Sequence, residues 1–143
     1  KSMNIVIDTN VIWSGLYSSK GNSFHLLSLL AAEKSNLTIH ISVPLILEYE
    51  DVLKREDSGL ELSASDVDEF LDYICKIAVK HDIFYLWRPF LPDPKDDHIL
   101  ELAFNSKSNY IVTYNTKDFK EISKLGIKAV IPDEFMKILG AKK

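Results

Sequence analysis

Five short runs rich in β-branched residues recur along this 143-residue chain, and segments with helical spacing separate them. The runs are residues 4–8, "TIHISV" at 38–43, "IFYLW" at 83–87, "NYIVTY" at 109–114 and "IKAVI" at 127–131. Each is short, apolar and bounded by polar or turn-forming residues, as expected of buried strands. Residues 15–22, rich in Gly and Ser, read as a loop. Helical spacing appears at 23–34 (Phe24, Leu27, Leu30, Ala31) and from Pro44, which suits a first turn, to Arg55. It returns after a capping pattern Ser65-x-x-Asp68, with Val67, Phe70, Leu71, Ile74 and Ala78 on one face, and again at 97–107, at 117–124 before Gly126, and from Pro132. Strands that alternate with helices predict a mostly parallel sheet covered on both faces by helices, an α/β domain. With no repeat or low-complexity tract, residues 3–143 read as one domain, and Lys1-Ser2 ahead of Met3 read as a cloning remnant.

Composition narrows the function. The chain is 46% hydrophobic, enough for a core. A single cysteine, Cys75, excludes an intrachain disulfide and a cysteine-only zinc site, and its place on an apolar helix stripe predicts a core residue. His25, His40, His81 and His98 are scattered, without zinc-site spacing; His98 is expected to face solvent. No apolar run approaches the ~20 residues that span a bilayer, and no leader pattern is visible, so a cytoplasmic location is expected. The net charge of −4 argues against nucleic acid as a partner. The charge is uneven, however: residues 103–143 carry 8 Lys/Arg against 4 Asp/Glu, with Lys107, Lys117, Lys120, Lys124 and Lys128 close in sequence.

In open α/β sheets, ligands bind beyond the carboxyl ends of the strands. Asp8 ends the first strand, inside "VIDTNVIW". A carboxylate between two apolar segments needs a partner. It can cap a helix or turn with Thr9 and Asn10, or it can join other acids at the same edge. Glu48, Glu50 and Asp51 follow the second strand, and periodicity does not choose among them. Asp93, Asp96 and Asp97 follow the third, and Asn115 and Asp118 the fourth. Clustered carboxylates repel and raise one another's pKa. An all-oxygen cluster suits a hard divalent ion such as Mg²⁺ or Mn²⁺, which supports phosphoryl transfer. A haloacid-dehalogenase-like phosphatase would need an acid where Asn10 sits, and neither it nor a receiver domain uses an acid on the helix after strand two.

The segments "VIDTNVIWSGL", "SVPLILEYEDVL", "LPDPKDDHILELAF" and "YIVTYNTKDF" together resemble the PIN domain, most closely the VapC-like toxins of toxin–antitoxin pairs. All four occur in family order and cover nearly the whole chain. The resemblance implies a five-stranded, three-layer α/β/α fold and an Mg²⁺- or Mn²⁺-dependent ribonuclease with one or two ions. It implies Asp8, Glu48, Asp97 and Asp118 as the acidic ligands, with Thr9, Asn10 and Thr113 as polar support. Asn115 departs from relatives that carry Asp there and leaves one negative charge fewer for a second ion. A small antitoxin and a homodimer are implied partners. Lys117, Lys120 and Lys107 are candidates for RNA phosphates, and Tyr114, Trp13 and Tyr17 for stacked bases. Two other readings use the same scaffold: a non-catalytic binding module, and an RNA-processing nuclease without an antitoxin.

Overall fold

The computed structural model describes residues 3–32, 36–82 and 97–141. Five strands, β1 (Met3–Ile7), β2 (Leu37–Ser42), β3 (Val79–His81), β4 (Tyr110–Val112) and β5 (Lys128–Val130), form one sheet in the order β3-β2-β1-β4-β5. Every neighbouring pair is parallel, with Ile5 opposite both Ile39 and Tyr110. Ile5, Val6 and Ile7 are fully buried, because β1 is the central strand and is covered on both faces. The helices are α1 (Thr9–Tyr17), α2 (Asn22–Ala31), α3 (Val43–Leu53), α4 (Ala64–Ile77), α5 (Asp97–Asn105) and α6 (Pro132–Ala141), with a 3₁₀ segment at Thr116–Leu125. The chain moves outward from β1 to β3 and then returns across the sheet through α5 to β4. Right-handed crossovers therefore put α5 on the opposite face from the earlier helices. The strand order reverses between β1 and β4, which opens a crevice at their carboxyl ends.

The predicted fold class holds, and several local expectations change. Residues 9–17 form a helix in place of a turn running into a loop at 15–22, since Asp8 caps its first turn and Val11 and Ile12 are buried. On α2 the buried residues are Ser23, Leu26 and Leu30, so of the expected stripe Leu30 is buried and Leu27 is partly buried against the core, while Phe24 and Ala31 are exposed. Leu27 meets α1 at Gly15, which has no side chain, and fills the space a Cβ would take. Helix α4 starts two residues early. Its capping box is Ser63–Asp66, where Ser63 Oγ accepts from Asp66 N at 3.0 Å and Asp66 Oδ2 accepts from Ser63 N at 3.1 Å. The strand expected at 83–87 lies outside the described residues, as do Asp93 and Asp96. The strand beside β2 is Val79–His81, directly after α4.

Two histidines that looked unrelated in sequence meet across the sheet. His40 on β2 is 95% buried, with Nδ1 2.7 Å from His81 Nε2 and Nε2 3.0 Å from Asn4 Oδ1. Asn4 Oδ1 can only accept, so His40 Nε2 carries the proton and its Nδ1 accepts from His81. Burial first, and then the neighbouring His81, lower the His40 pKa from 6.5 to about 4. The unfolded chain therefore binds the proton more readily. The stability this gives is complete above about pH 6.5 and is lost as the pH falls toward 4. Urea denaturation of the wild type should lose up to about 3 kcal/mol over that interval. His40→Gln should flatten that part of the profile; an unchanged profile in the variant would contradict the assignment.

Candidate active site

The carboxyl ends of β1 and β4 define the site. Asp8 follows β1 immediately, with its backbone N–H bonded to Val112 O at 2.9 Å. It is the N-cap of α1, and its Oδ1 accepts from Thr9 N at 2.8 Å. Its Oδ2 accepts from Thr113 Oγ1 at 2.7 Å, and Thr113 is itself tied to β5 through Val130 O. Asp8 thus takes the capping role, one of the two that the sequence allowed. The Thr9 hydroxyl, in turn, donates to Glu48 Oε2. Thr9 therefore joins two carboxylates, one through its backbone and one through its side chain.

Glu48 is presented by α3, which Ser42 caps through Leu45 N and Pro44 opens. The fully buried Tyr49 anchors this helix by donating its phenol O–H to Ile7 O, the last carbonyl of β1. That bond fixes Glu48 relative to Asp8. The neighbours Glu50 and Asp51 face away, paired with Lys54 at 2.9 Å and Arg55 at 2.6 Å. The second Glu48 oxygen, Oε1, lies 3.1 Å from His98 Nε2 on α5. His98, expected to face solvent, is 91% buried. Asp97, the first residue of α5, is fully buried beside it. Glu101, one turn further, is another buried carboxylate on this helix that sequence reasoning did not single out.

The electrostatics divide the pair. Burial raises the Asp8 pKa; the hydrogen bonds from Thr113 and Thr9 oppose this, and the Glu48 charge adds to it. Burial also pushes Glu48 upward, but hydrogen bonds from His98 and Thr9, with the charges of His98 and Arg55, leave it below the usual value. The charge of Asp8 is thus only partly compensated by the chain, whereas that of Glu48 is well supplied with donors. A hard cation would relieve the strain on Asp8, and the donors are all carboxylate oxygen, the chemistry Mg²⁺ and Mn²⁺ select. Among the described residues no three His, Cys, Asp or Glu side chains lie close enough to hold an ion together. Two carboxylates are nevertheless sufficient for Mg²⁺, which usually retains several waters and takes remaining ligands from a phosphate substrate. The pair fits the ion on these grounds.

The other expected residues are placed less tightly. Asn10 Oδ1 accepts from Tyr114 N at 3.2 Å and so holds the segment after β4. Asn115 donates its backbone N–H to Thr113 Oγ1 at 3.0 Å. Asp118 is half-buried in the 3₁₀ segment, and no hydrogen bond or ion pair joins its side chain to Asp8 or Glu48. A cavity of about 280 Å³ beside that segment is lined by Thr116, Lys117, Lys120, Ser123 and Lys128 among others. Lys107 does not line it and sits in a left-handed turn after α5. Trp13 and Tyr17 stack on each other at 4.7 Å, and Trp13 Nε1 donates to Ser58 O at 2.8 Å. Tyr114 is exposed, with its hydroxyl 2.6 Å from Ser23 Oγ. Cys75 is half-buried against the core.

The Thr113 hydroxyl favours the charged form of Asp8. Thr113→Val should therefore raise the Asp8 pKa further, read as a shift of its carboxyl ¹³C titration to higher pH. A titration unchanged from wild type would show that this bond does not act on Asp8.

Comparison with known proteins agrees with this architecture. A search of curated protein sequences finds no significant match. Among solved structures, VapBC2 from Rickettsia felis bound to a DNA fragment from its promoter superposes with a TM-score of 0.59 at 20% identity, covering 89% of this chain and 97% of that one. Mycobacterium tuberculosis VapC20, described as a sarcin–ricin loop cleaving toxin, gives a TM-score of 0.53 at 9% identity, covering 86% of this chain and 95% of that one. At these identities the likeness concerns the fold. A family profile, the PIN domain, matches residues 4–117, through β1, α3, α5 and β4, and the chain belongs to the PIN domain family.

Proposed function

We propose that the chain is a divalent-metal-dependent endoribonuclease that hydrolyses RNA phosphodiester bonds, and that it acts as the toxin of a toxin–antitoxin pair. The observation that carries this reading is the Asp8–Thr9–Glu48 arrangement at the crevice between β1 and β4. Family membership and the likeness to VapBC2 and VapC20 support it. Asp8 and Glu48 would hold Mg²⁺ or Mn²⁺, with Asp97 and Asp118 as the further ligands the family pattern implies. When bound, the ion supplies charge neutralisation at the phosphodiester and an acidified water for in-line attack.

The chain's own groups do the rest. Thr113 and the Thr9 backbone hold the Asp8 carboxylate by both oxygens, and the Thr9 hydroxyl and His98 hold Glu48. Little reorganisation is then needed when substrate arrives. Lys117 and Lys120, exposed on the segment that begins three residues after Thr113, bind the RNA backbone, and Lys107 contributes from the turn after α5. The exposed rings of Tyr114 and Tyr17 offer stacking faces for unpaired bases. No 2′-hydroxyl takes part, so products end in 5′-phosphate and 3′-hydroxyl. A small antitoxin that blocks the acidic crevice, and a homodimer, complete the proposed assembly. A cytoplasmic site of action belongs to the same proposal; among the described residues no helix is long and apolar enough to cross a membrane.

The test is cleavage of single-stranded RNA by the purified protein with Mg²⁺ or Mn²⁺, with and without EDTA, beside Asp8→Asn. Cleavage that EDTA abolishes, and that falls at least 100-fold in the variant, is expected, the scale of losing an electrostatic group from a reaction centre. Cleavage that persists in EDTA, or equally in Asp8→Asn, would overturn the proposal.

A further inference from the structure

We infer that His98 is a positioning residue, which sets the orientation of the Glu48 carboxylate and couples it to the helix that carries Asp97. The inference rests on the metal-dependent reading above and deepens it. A glutamate's terminal torsion is broad, so a single hydrogen bond leaves its carboxylate free to turn. Here one oxygen is taken by Thr9 from α1 and the other by His98 from α5. Two donors from separate elements fix the plane of the group. The cationic side chains near Glu48 in sequence are committed elsewhere: Lys54 to Glu50 and Asp68, and Arg55 to Asp51. His98 Nε2 is the one side-chain nitrogen bonded to Glu48 among the described residues.

The ring itself is committed to this contact. His98 Nδ1 is buried and has no hydrogen-bond partner among the described residues. The Glu48 carboxylate can only accept, so Nε2 carries a proton and is the donor to Glu48 Oε1. An aliphatic side chain would fill the same space without burying an unpaired nitrogen. What the imidazole adds is the bond to Glu48. Because His98 directly follows Asp97, that bond also sets where α5 begins relative to α3.

The experiment titrates Mn²⁺ into wild type, His98→Ala, His98→Leu and His98→Gln by calorimetry, with thermal unfolding and RNA cleavage kinetics on the same samples. Removing a group that orients a metal ligand typically costs 10–100-fold in affinity or activity. We expect His98→Ala and His98→Leu to weaken Mn²⁺ binding by that factor and to lower kcat, with KM for RNA nearly unchanged. His98→Gln, whose amide can donate to Glu48, should recover much of both. His98→Leu keeps the buried volume and stands alone if the alanine variant does not fold. Wild-type Mn²⁺ affinity in a folded His98→Leu, or no recovery in His98→Gln, would overturn the positioning role while leaving the metal reading intact. A wild type that binds no Mn²⁺ would overturn both.

Discussion

The site depends on one residue donating in two directions. Thr9 gives its backbone N–H to Asp8 and its hydroxyl to Glu48, so the first turn of α1 becomes the joint between the end of β1 and the face of α3. Without it, two carboxylates from different elements would meet only through their mutual repulsion. Tyr49 reinforces the joint from the other side by tying α3 to the last carbonyl of β1. The central strand is buried on both faces, so these bonds rest on the close-packed core.

The same arrangement explains why the two acids behave differently. Asp8 is buried, and its hydrogen bonds do not fully offset the loss of water. Glu48 is less enclosed and receives His98 as well as Thr9. Environments that push two carboxylates apart in this way are characteristic of reaction centres. Three of the eight basic residues of the C-terminal third, Lys117, Lys120 and Lys124, lie on the segment that follows β4, in a chain whose net charge is −4.

Much of this was legible in the sequence, for identifiable reasons. Buried parallel strands are continuous apolar runs, so β1, β2, β4 and β5 stood out, and with them the rule that ligands gather beyond strand ends. Asp8 was conspicuous because it interrupts apolar residues. Choosing Glu48 over Glu50 and Asp51 needed the family pattern; in the structure the basic residues one turn on pair with the other two. Helix α1 was hidden because Val11, Ile12 and Trp13 look like strand residues, and only the cap formed by Asp8 shows that the chain turns helical. His98 was hidden more deeply. Helical spacing says nothing about a partner 50 residues away, and residues 97 to 103 of α5 are all buried, polar and apolar alike, which periodicity does not foretell. The pairing of His40 with His81 was unreadable for the same reason, being set by strand register.

The most direct measurement is anomalous diffraction from crystals of the protein grown with Mn²⁺. The account predicts a manganese peak in the crevice between β1 and β4, in contact with the carboxylates of Asp8 and Glu48. A fully exchanged crystal with no peak there, or with its ordered manganese on other side chains, would contradict it.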